Sequence, residues 1–401
     1  AALLTSVTAK LDREASKHRF GEGIQHGVDL HVLDAHLKKL GRDCEHRREG
    51  LLIASTSGGL WPNARVSEAY SDLPPACHLC GAPWADEIHL YWGCPAVKAS
   101  GNEAITASEY LEAIAEKDIS EGRNFCLWAR GLPPSSLYPK LPHCTEQVTS
   151  VGSAQALAEA TRLATDGSGG KGKTSQDPRL RRCGAGIATC AYVDTPLGHL
   201  PIVTSGIFAT IEGAQTVPRA ELTAVCLALE ANRSPHLTIV VDASYIIRGF
   251  TRGPRNLHRF SNPDLWTRFW KRVRERGGKN SLTFQKIKSH LTTGEILSGV
   301  APFGDVALNH AADEFAEIAS ARAQLPPNIL KDFKHMDMRA WAVQKRILAA
   351  NEIAATQTRS IRPPWASTAD PGLTSQIVST ICVRWAMQLY PTEAGTDAPN
   401  V

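Results

Sequence analysis

The chain has 401 residues, of which 43% are hydrophobic, and its formal net charge at pH 7 is +4. This length and hydrophobic content allow one substantial domain plus smaller units, whereas the small total charge indicates no particular class of partner. No apolar stretch is long enough to cross a bilayer and no secretory signal opens the chain, so we expect neither a membrane partner nor secretion.

A metal-binding pattern lies near the N-terminus. Cys77, Cys80, His89 and Cys94 have the spacing C-x2-C-x8-H-x4-C. Zinc binds four such ligands in a tetrahedron, and a closed Cys₃His set is typical of a structural site. A loop this short cannot build a core, so we predict that one structural Zn²⁺ holds residues 76–98 together.

Disulfides are the alternative for the chain's 10 cysteines. Three of the cysteines belong to the zinc pattern, and Cys183, Cys190 and Cys226 fall in predicted core elements. Because no signal peptide precedes them, we favour a reducing intracellular compartment, nucleus or cytoplasm, over an oxidising one.

The zinc pattern resembles the Cys-Cys-His-Cys finger that follows the polymerase domain in many non-LTR retrotransposons, including the ending from Tyr91 to Pro95. The resemblance implies a retroelement-like polyprotein with an upstream reverse transcriptase, of which residues 1–75 would be a trailing remnant. Pro83, Trp84 and Trp92 offer stacking surfaces for single-stranded nucleic acid, and packing within the finger is the alternative for Trp92.

Residues 99–158 are predicted to be a linker that contains a helix. Helical spacing of apolar residues begins at 104–115, and prolines interrupt the chain at Gly131–Pro134 and again at Pro139–Pro142. Proline-rich stretches of this kind are typical of connections between domains.

Four carboxylates then follow in an order that predicts one cluster. Arg162–Asp166 is typical of a short strand that Gly167–Gly170 ends, and Leu237–Asp242 is typical of a strand covered on both faces. Glu221 and Asp313 flank the apolar stripes of two predicted helices, which should pack on the sheet. Four acids near one sheet edge would repel one another unless a cation neutralised them.

That requirement fits two-metal phosphoryl chemistry, in which two Mg²⁺ ions about 4 Å apart activate a water and stabilise the leaving oxygen. Magnesium prefers carboxylate oxygens, and this cluster contains no thiolate. We therefore predict that Asp166, Glu221, Asp242 and Asp313 bind two Mg²⁺ ions, with Mn²⁺ as the alternative. For each acid alone, the competing interpretation is a helix cap or a solvated surface charge.

Residues 159–322 resemble a type 1 ribonuclease H domain of the variety that retroelement polyproteins carry. The matching motifs, in family order, are Asp166 to Ser168, Gly184 to Gly186, Arg219 to Leu222, Val241-Asp242, Lys288 to His290 and Asn309 to Asp313. The resemblance implies an α/β fold with a mixed five-stranded sheet flanked by helices. It also implies hydrolysis of the RNA strand of RNA–DNA hybrids, which leaves a 5′-phosphate and a 3′-hydroxyl.

The resemblance assigns the catalytic acids to Asp166, Glu221, Asp242 and Asp313, and the family's mobile catalytic histidine to His290. Independently of the family, His290 follows an alternating strand and precedes a long loop, 291–304, where an imidazole can transfer a proton and move with product release. An ordinary surface histidine is the alternative. From the matched motifs we predict nucleic-acid contacts by Gly167, Ser168, Arg219 and Lys288.

Two positions depart from the family pattern. Val217-Pro218 stands where cellular members usually carry two amides that contact the hybrid, and Ala243-Ser244 stands where Ser-Gln is usual after the aspartate. Both departures remove hydrogen-bond partners for the nucleic acid and leave the metal ligands unchanged. They concern affinity or strand discrimination more than chemistry.

The charge of the chain is unevenly distributed. Residues 248–288 contain 12 lysines and arginines against 2 acids. Part of this charge lies on a helix predicted to begin at Asn262-Pro263, whose basic face includes Arg272 and Arg274. Such a face can follow phosphates and release counterions, so we predict backbone contacts from it. A solvated helix surface is the alternative.

Residues 323–401 are predicted to be a C-terminal extension. Within it, 337–354 shows the pattern of an amphipathic helix, Ser360–Thr374 that of a loop, and Ile377–Leu389 that of an apolar docking segment. Three functions agree with these patterns: a metal-dependent ribonuclease H with an appended finger, a catalytically decayed module of the same fold that binds nucleic acid, and a related polynucleotidyl transferase acting on DNA. The Arg219–Leu222 and Asn309–Asp313 motifs favour the first over the third.

Overall fold

The computed structural model describes residues 2–196, 198–255, 257–289 and 291–357, which fall into two compact units. Among these residues, the helical unit consists of 2–139 and 331–357, and the sheet unit consists of those between 140 and 330. This division differs from the five segments expected from the sequence, because residues on both sides of the sheet unit share one hydrophobic core. The segments predicted at Ser360–Thr374 and Ile377–Leu389 lie outside the described residues.

The strands are β1 (Val148–Gly152), β2 (Arg162–Ser168), β3 (Gly184–Thr195), β4 (Gly198–Thr210), β5 (Leu237–Val241) and β6 (Leu282–Lys286). The helices are α1 (Ala2–Ser16), α2 (His31–Arg42), α3 (His46–Thr56), α4 (Asn63–Ala69), α5 (Pro95–Lys98), α6 (Glu103–Thr106), α7 (Glu112–Ser120), α8 (Phe125–Arg130), α9 (Ala154–Glu159), α10 (Lys173–Gln176), α11 (Val217–Ala231), α12 (Ser244–Arg252), α13 (Pro263–Glu275), α14 (Thr293–Leu297), α15 (Phe303–Arg322) and α16 (Pro327–Gln357). None of the helices in these ranges is both long and apolar enough to cross a membrane.

The sheet unit is built on a mixed sheet with the strand order β1-β4-β3-β2-β5-β6. The pairs β1–β4, β4–β3 and β3–β2 are antiparallel, whereas β5 is parallel to both β2 and β6. The predicted mixed sheet with flanking helices is therefore confirmed, with six strands in place of five. The additional strand is β1, which lies in the predicted linker and pairs with the edge of β4 from Ser205 to Ala209.

Helices cover both faces of this sheet. On one face, α11 and α13 bury their apolar stripes in the main core, which includes Leu222, Val225 and Trp266. On the other face lies α15, whose Leu308 and Ala312 pack against Ala164 and Val240 of the two central strands. Because β2 and β5 are covered on both sides, the acids near their ends have a rigid backbone.

Glycines allow α15 to approach the antiparallel strands closely. A Cβ atom on Gly186 would lie 2.0 Å from the carbonyl oxygen of Ala312, and one on Gly184 would lie 2.3 Å from that of Ala316. Backbone atoms of two packed elements cannot move apart without disturbing the core between them. The Gly-Ala-Gly motif of β3 is thus a packing requirement of the fold.

We expect Gly186→Ala to lower the free energy of unfolding of the sheet unit by about 1–3 kcal/mol, the usual cost of overpacking. Denaturant-dependent hydrogen exchange of β3 and α15 peptides measures this change. The matched control is Gly294→Ala in α14, where an added Cβ meets nothing within 4 Å. Equal effects of the two substitutions would contradict the packing role of Gly186.

The helical unit has a separate core formed by residues far apart in the sequence. Trp92 and Trp128 pack edge to face with ring centroids 5.2 Å apart, and Val343 and Ile347 of α16 are buried in the same cluster. The helix predicted over 337–354 lies within α16. The helical unit therefore contains the predicted zinc pattern inside its core and not as a separate module.

Candidate functional site

Three of the four predicted carboxylates converge at one edge of the sheet. Ala164 of β2 lies beside Val240 of β5 in a parallel pair, so two residues further on Asp166 and Asp242 come side by side. Glu221 reaches them from the first turns of α11, and the three carboxylates each offer an oxygen within 4.8 Å of the others. The sequence predicts that four carboxylates converge at this edge, and the structure brings three of them together.

Gly167 allows the approach of α11 to β2. A Cβ atom at this position would lie 2.4 Å from the backbone nitrogen of Glu221. The Gly167 amide also donates a 2.6 Å hydrogen bond to an oxygen of Asp166, which orients that carboxylate. In the structure, Gly167 therefore shapes the carboxylate cluster, and contact with nucleic acid remains a prediction for it.

The cluster is electrostatically strained in the absence of a cation. Burial, together with the charges of Asp242 and Asp313, raises the pKa of Asp166 to about 7. Burial and the charges of Asp166 and Asp242 raise the pKa of Glu221 well above its usual value, and its Oε2 has no hydrogen-bond partner among the described residues. Burying an anionic oxygen that accepts no hydrogen bond costs free energy, and a divalent cation would offset this cost. This set of carboxylate ligands therefore fits divalent cations.

This strain gives a stability prediction. Because the folded-state pKa of Asp166 is raised, its ionisation destabilises the metal-free protein as pH rises from about 4 to about 7, and the cost is fully present at pH 8. We expect Asp166→Asn in EDTA at pH 8 to stabilise the sheet unit by about 2 kcal/mol, and to have little effect at pH 4.

Hydrogen exchange of β2 and β5 peptides in denaturant reports on this change. The control is Glu212→Gln, which removes an exposed acid and should change stability little at either pH. A parent protein that is as stable as Asp166→Asn in EDTA at pH 8 would show that the carboxylates do not repel one another.

The structure describes the fourth acid, Asp313, but not the predicted catalytic histidine, His290. Asp313 is half-buried on α15 and close enough to raise the pKa of Asp166, although it is outside the group of three oxygens within 4.8 Å. His290 lies outside the described residues, and the region predicted as a continuous loop after it contains α14.

Ser289 is a site residue that sequence reasoning missed. Its Oγ donates a 2.7 Å hydrogen bond to Oδ2 of Asp242 and so orients that carboxylate. The signal was its place between Lys288 and His290 in a matched motif, but nothing in the spacing indicated which neighbour it would contact.

Several predicted nucleic-acid contacts have partners within the protein. Arg219 binds both oxygens of Asp264, at 3.0 and 2.6 Å, and Lys288 pairs with Glu295. Arg272 pairs with Glu230 at 3.2 Å and with Glu275 at 2.8 Å. These guanidinium and ammonium groups therefore already have acidic partners within the protein. Ser168, at the end of β2, accepts a 3.1 Å hydrogen bond from Gly170 through its Oγ.

Exposed arginines remain in the same basic region. They are Arg248, Arg252, Arg255, Arg259 and Arg274. The first two belong to α12, which begins two residues after Asp242. Arg274 belongs to α13, so phosphate contact from this helix, like contact from α12, remains a prediction.

The second site is the cysteine–histidine cluster of the helical unit. The Sγ atoms of Cys77 and Cys94 are 3.9 Å apart, and Sγ of Cys80 is 3.4 Å from Nε2 of His89. A tetrahedron with zinc bonds of about 2.3 Å to sulfur and about 2.0 Å to nitrogen has edges of about 3.5–3.8 Å. All four donor atoms lie within 4.8 Å of one another, so the residues fit zinc.

The protonation tendencies of these ligands also fit a cation. Burial holds the pKa of the His89 imidazole below its usual value, which favours the neutral form that binds metals. The Ala82 amide is the largest influence lowering the pKa of Cys80, whereas burial raises that of Cys94 to about 11. A metal would displace the proton of Cys94 at neutral pH.

The two tryptophans of the predicted finger have different environments. Trp92 is 6% exposed and donates a 2.9 Å hydrogen bond to the carbonyl oxygen of Trp128. Trp84 is 46% exposed. Trp92 is therefore a core residue, and only Trp84 presents an accessible ring for base stacking.

Comparison with known proteins concerns the sheet unit. Residues 159–321 match the family model described as RNase H. The PFV RNase H domain is similar at 18% identity and a TM-score of 0.30, over 42% of this chain and 98% of that one. The native protease–reverse transcriptase of prototype foamy virus is similar at 18% identity and a TM-score of 0.26, over 45% of this chain and 22% of that one. No curated protein sequence matches the chain.

Proposed function

We propose that residues 159–321, which match the family model described as RNase H, hydrolyse the RNA strand of RNA–DNA hybrids in a reaction that depends on divalent metal ions. The observation that carries this proposal is the convergence of Asp166, Glu221 and Asp242, two of them buried, which each place a carboxylate oxygen within 4.8 Å of the others. Perturbed carboxylates of this kind, grouped at a sheet edge, are typical of catalytic sites.

Each residue of the cluster has a role that follows from its environment. When bound at these carboxylates, two Mg²⁺ ions would activate the attacking water and stabilise the leaving oxygen. Asp166 and Asp242 are held by covered strands, and Ser289 and Gly167 orient them. Glu221 presents a buried oxygen without a donor, and Asp313 adds negative charge nearby. His290 is proposed to move a proton during product release, as the family resemblance implies.

The exposed arginines support a polyanionic substrate. α12 starts beside the carboxylate cluster, and Arg248, Arg252 and Arg255 extend from it along the chain. Exposed guanidinium groups can neutralise phosphates of either strand and carry no base specificity. We therefore propose sequence-independent contact with the hybrid backbone.

Removing two of these charges should weaken binding. We expect Arg252→Gln/Arg255→Gln, tested on a hybrid in Ca²⁺ to prevent turnover, to lower affinity about tenfold at low salt. The slope of log affinity against log salt should fall by about 2, because each lost phosphate contact contributes about 0.9. The control is Arg233→Gln, an exposed arginine beyond the C-terminal end of α11. An unchanged slope would show that the phosphates lie elsewhere.

The proposed activity is tested with a panel of labelled substrates. Parent protein in Mg²⁺ should cut the RNA strand of a hybrid, and should leave single-stranded RNA, duplex RNA and duplex DNA intact. Binding of the hybrid without cleavage at enzyme excess would instead favour the decayed binding module. The departures at Val217-Pro218 and the internal pairing of Arg219 give that alternative its support.

The wider context also remains a proposal. The order of a Cys₃His cluster and then an RNase H domain supports a retroelement-like protein with a reverse transcriptase upstream. Single-stranded nucleic acid at the finger would have to use Trp84, since Trp92 is buried.

A further inference from the structure

The chain between the last two zinc ligands is part of the core of the helical unit. Residues His89–Gly93 form a single wide helical turn that ends at Cys94. Tyr91 and Trp92, within this turn, are 1% and 6% exposed. The segment that must be ordered to bind zinc is therefore also a segment that other elements pack against.

Arg346 of α16 contacts this turn directly. It is completely buried, and its Nε donates a 2.6 Å hydrogen bond to the carbonyl oxygen of Tyr91. Its guanidinium carbon lies 4.5 Å from the centroid of the Trp92 ring. Its Nη1 donates to the carbonyl oxygen of Ile105 at 3.1 Å and to Oγ of Ser108 at 3.0 Å, and its Nη2 donates to Glu112 at 2.5 Å. One side chain thus joins α16 to the zinc-binding turn and to the helices that follow it.

Two further contacts connect α16 with the same region. The Nδ2 atom of Asn351 donates a 3.0 Å hydrogen bond to the hydroxyl of Tyr91. The imidazole Nε2 of His78, between Cys77 and Cys80, is 3.3 Å from the carbonyl oxygen of Ala354. α16 therefore contacts both the first and the second half of the zinc loop.

We propose that zinc binding and the docking of α16 are one coupled equilibrium, in which Arg346 is the residue that positions the zinc loop. A buried guanidinium is tolerated only while its acceptors are in place. The Tyr91 carbonyl is in place only while the turn between His89 and Cys94 is ordered, and the metal orders that turn. By thermodynamic linkage, docking of α16 must increase the zinc affinity by the same factor by which bound zinc favours docking of α16.

The consequence concerns the organisation of the chain. Cys77–Cys94 precede the sheet unit in the sequence, whereas residues 331–357 follow it. The metal would hold together the segments that enter and leave the nuclease. This gives the finger a structural role that does not require it to bind nucleic acid. The inference rests on the proposed zinc site and is independent of the proposed cleavage activity.

The first test measures zinc affinity in the full chain by chelator competition. We expect Arg346→Ala to weaken zinc binding at least tenfold, Arg346→Lys to be intermediate because an ammonium cannot replace the planar fork, and Lys345→Ala to bind like the parent. Lys345 is the matched control because it neighbours Arg346 on α16 but is exposed. Parent-like zinc affinity in Arg346→Ala would overturn the coupling.

The second test needs no substitution, so it remains decisive if Arg346→Ala fails to fold. Zinc is removed from the parent protein, and hydrogen exchange is followed in peptides covering 77–98 and 340–357. Both regions should lose protection together and regain it on addition of Zn²⁺. Loss of protection in 77–98 alone would overturn the coupling. Purified parent protein that contains no zinc and gains no protection from Zn²⁺ would instead refute the zinc site itself.

Discussion

Asp242→Asn is expected to reduce cleavage of an RNA–DNA hybrid by about 10³-fold or more, and Asp166→Asn should do the same. An amide keeps the shape of the carboxylate and can still accept the hydrogen bond of Ser289, but it cannot supply the negative charge that binds the metal ions. Cleavage rates at saturating hybrid and saturating Mg²⁺ measure the effect, and EDTA should abolish the activity of the parent protein.

Two comparisons make this result specific. Glu212→Gln removes an exposed acid of the same unit and should cleave at the parent rate. His290→Ala should slow turnover without eliminating it, because the proposed metal ions provide most of the stabilisation of the transition state. Undiminished cleavage by Asp242→Asn would refute the assignment of the carboxylate cluster as the active site.

Cys80→Ser is expected to abolish zinc binding and to unfold much of the helical unit while hybrid cleavage survives. Loss of one thiolate opens the tetrahedral site. The free energy of structural zinc binding has an apparent value of about 10–16 kcal/mol in small fingers and is largely free energy of folding. Because Cys77 and Cys94 belong to the shared core, the damage should extend beyond residues 76–98 to the contacts of Trp92 and Trp128.

Metal analysis and hydrogen exchange of the helical unit measure this outcome, and Cys44→Ser, which changes an exposed cysteine, is the control. The sheet unit has its own hydrophobic core, so its cleavage rate should stay near that of the parent. Full zinc occupancy in Cys80→Ser would contradict the ligand set. Loss of cleavage together with zinc would show that the nuclease depends on the helical unit.

The carboxylate cluster was predictable because its geometry depends on local patterns. Asp166 and Asp242 end apolar strand patterns, and parallel strands bring their carboxyl ends to one edge of a sheet. The helical period of α11 alone was enough to place Glu221 on the buried face of that helix. In these cases the period of the hydrophobic pattern and the direction of the strand determine where the side chain points.

Features that depend on distant partners were not predictable. β1 is short and mostly exposed, so its only strong determinant is the free edge of β4. Arg272 has the sequence context of a surface cation, and its pairing with Glu230 follows from the packing of α13 on α11. The shared core of the helical unit joins Trp92 to Ile347, and no local pattern reports a contact over that separation.

The most direct test of the proposed function is end-group analysis of a single hybrid by mass spectrometry. A hybrid with a defined RNA strand is incubated with the parent protein and Mg²⁺, and the masses of both strands are determined. The RNA should be shortened to fragments with 5′-phosphate and 3′-hydroxyl ends, with the DNA intact. RNA that stays intact at enzyme excess, or fragments that end in a 2′,3′-cyclic phosphate, would contradict metal-dependent hydrolysis by this carboxylate cluster.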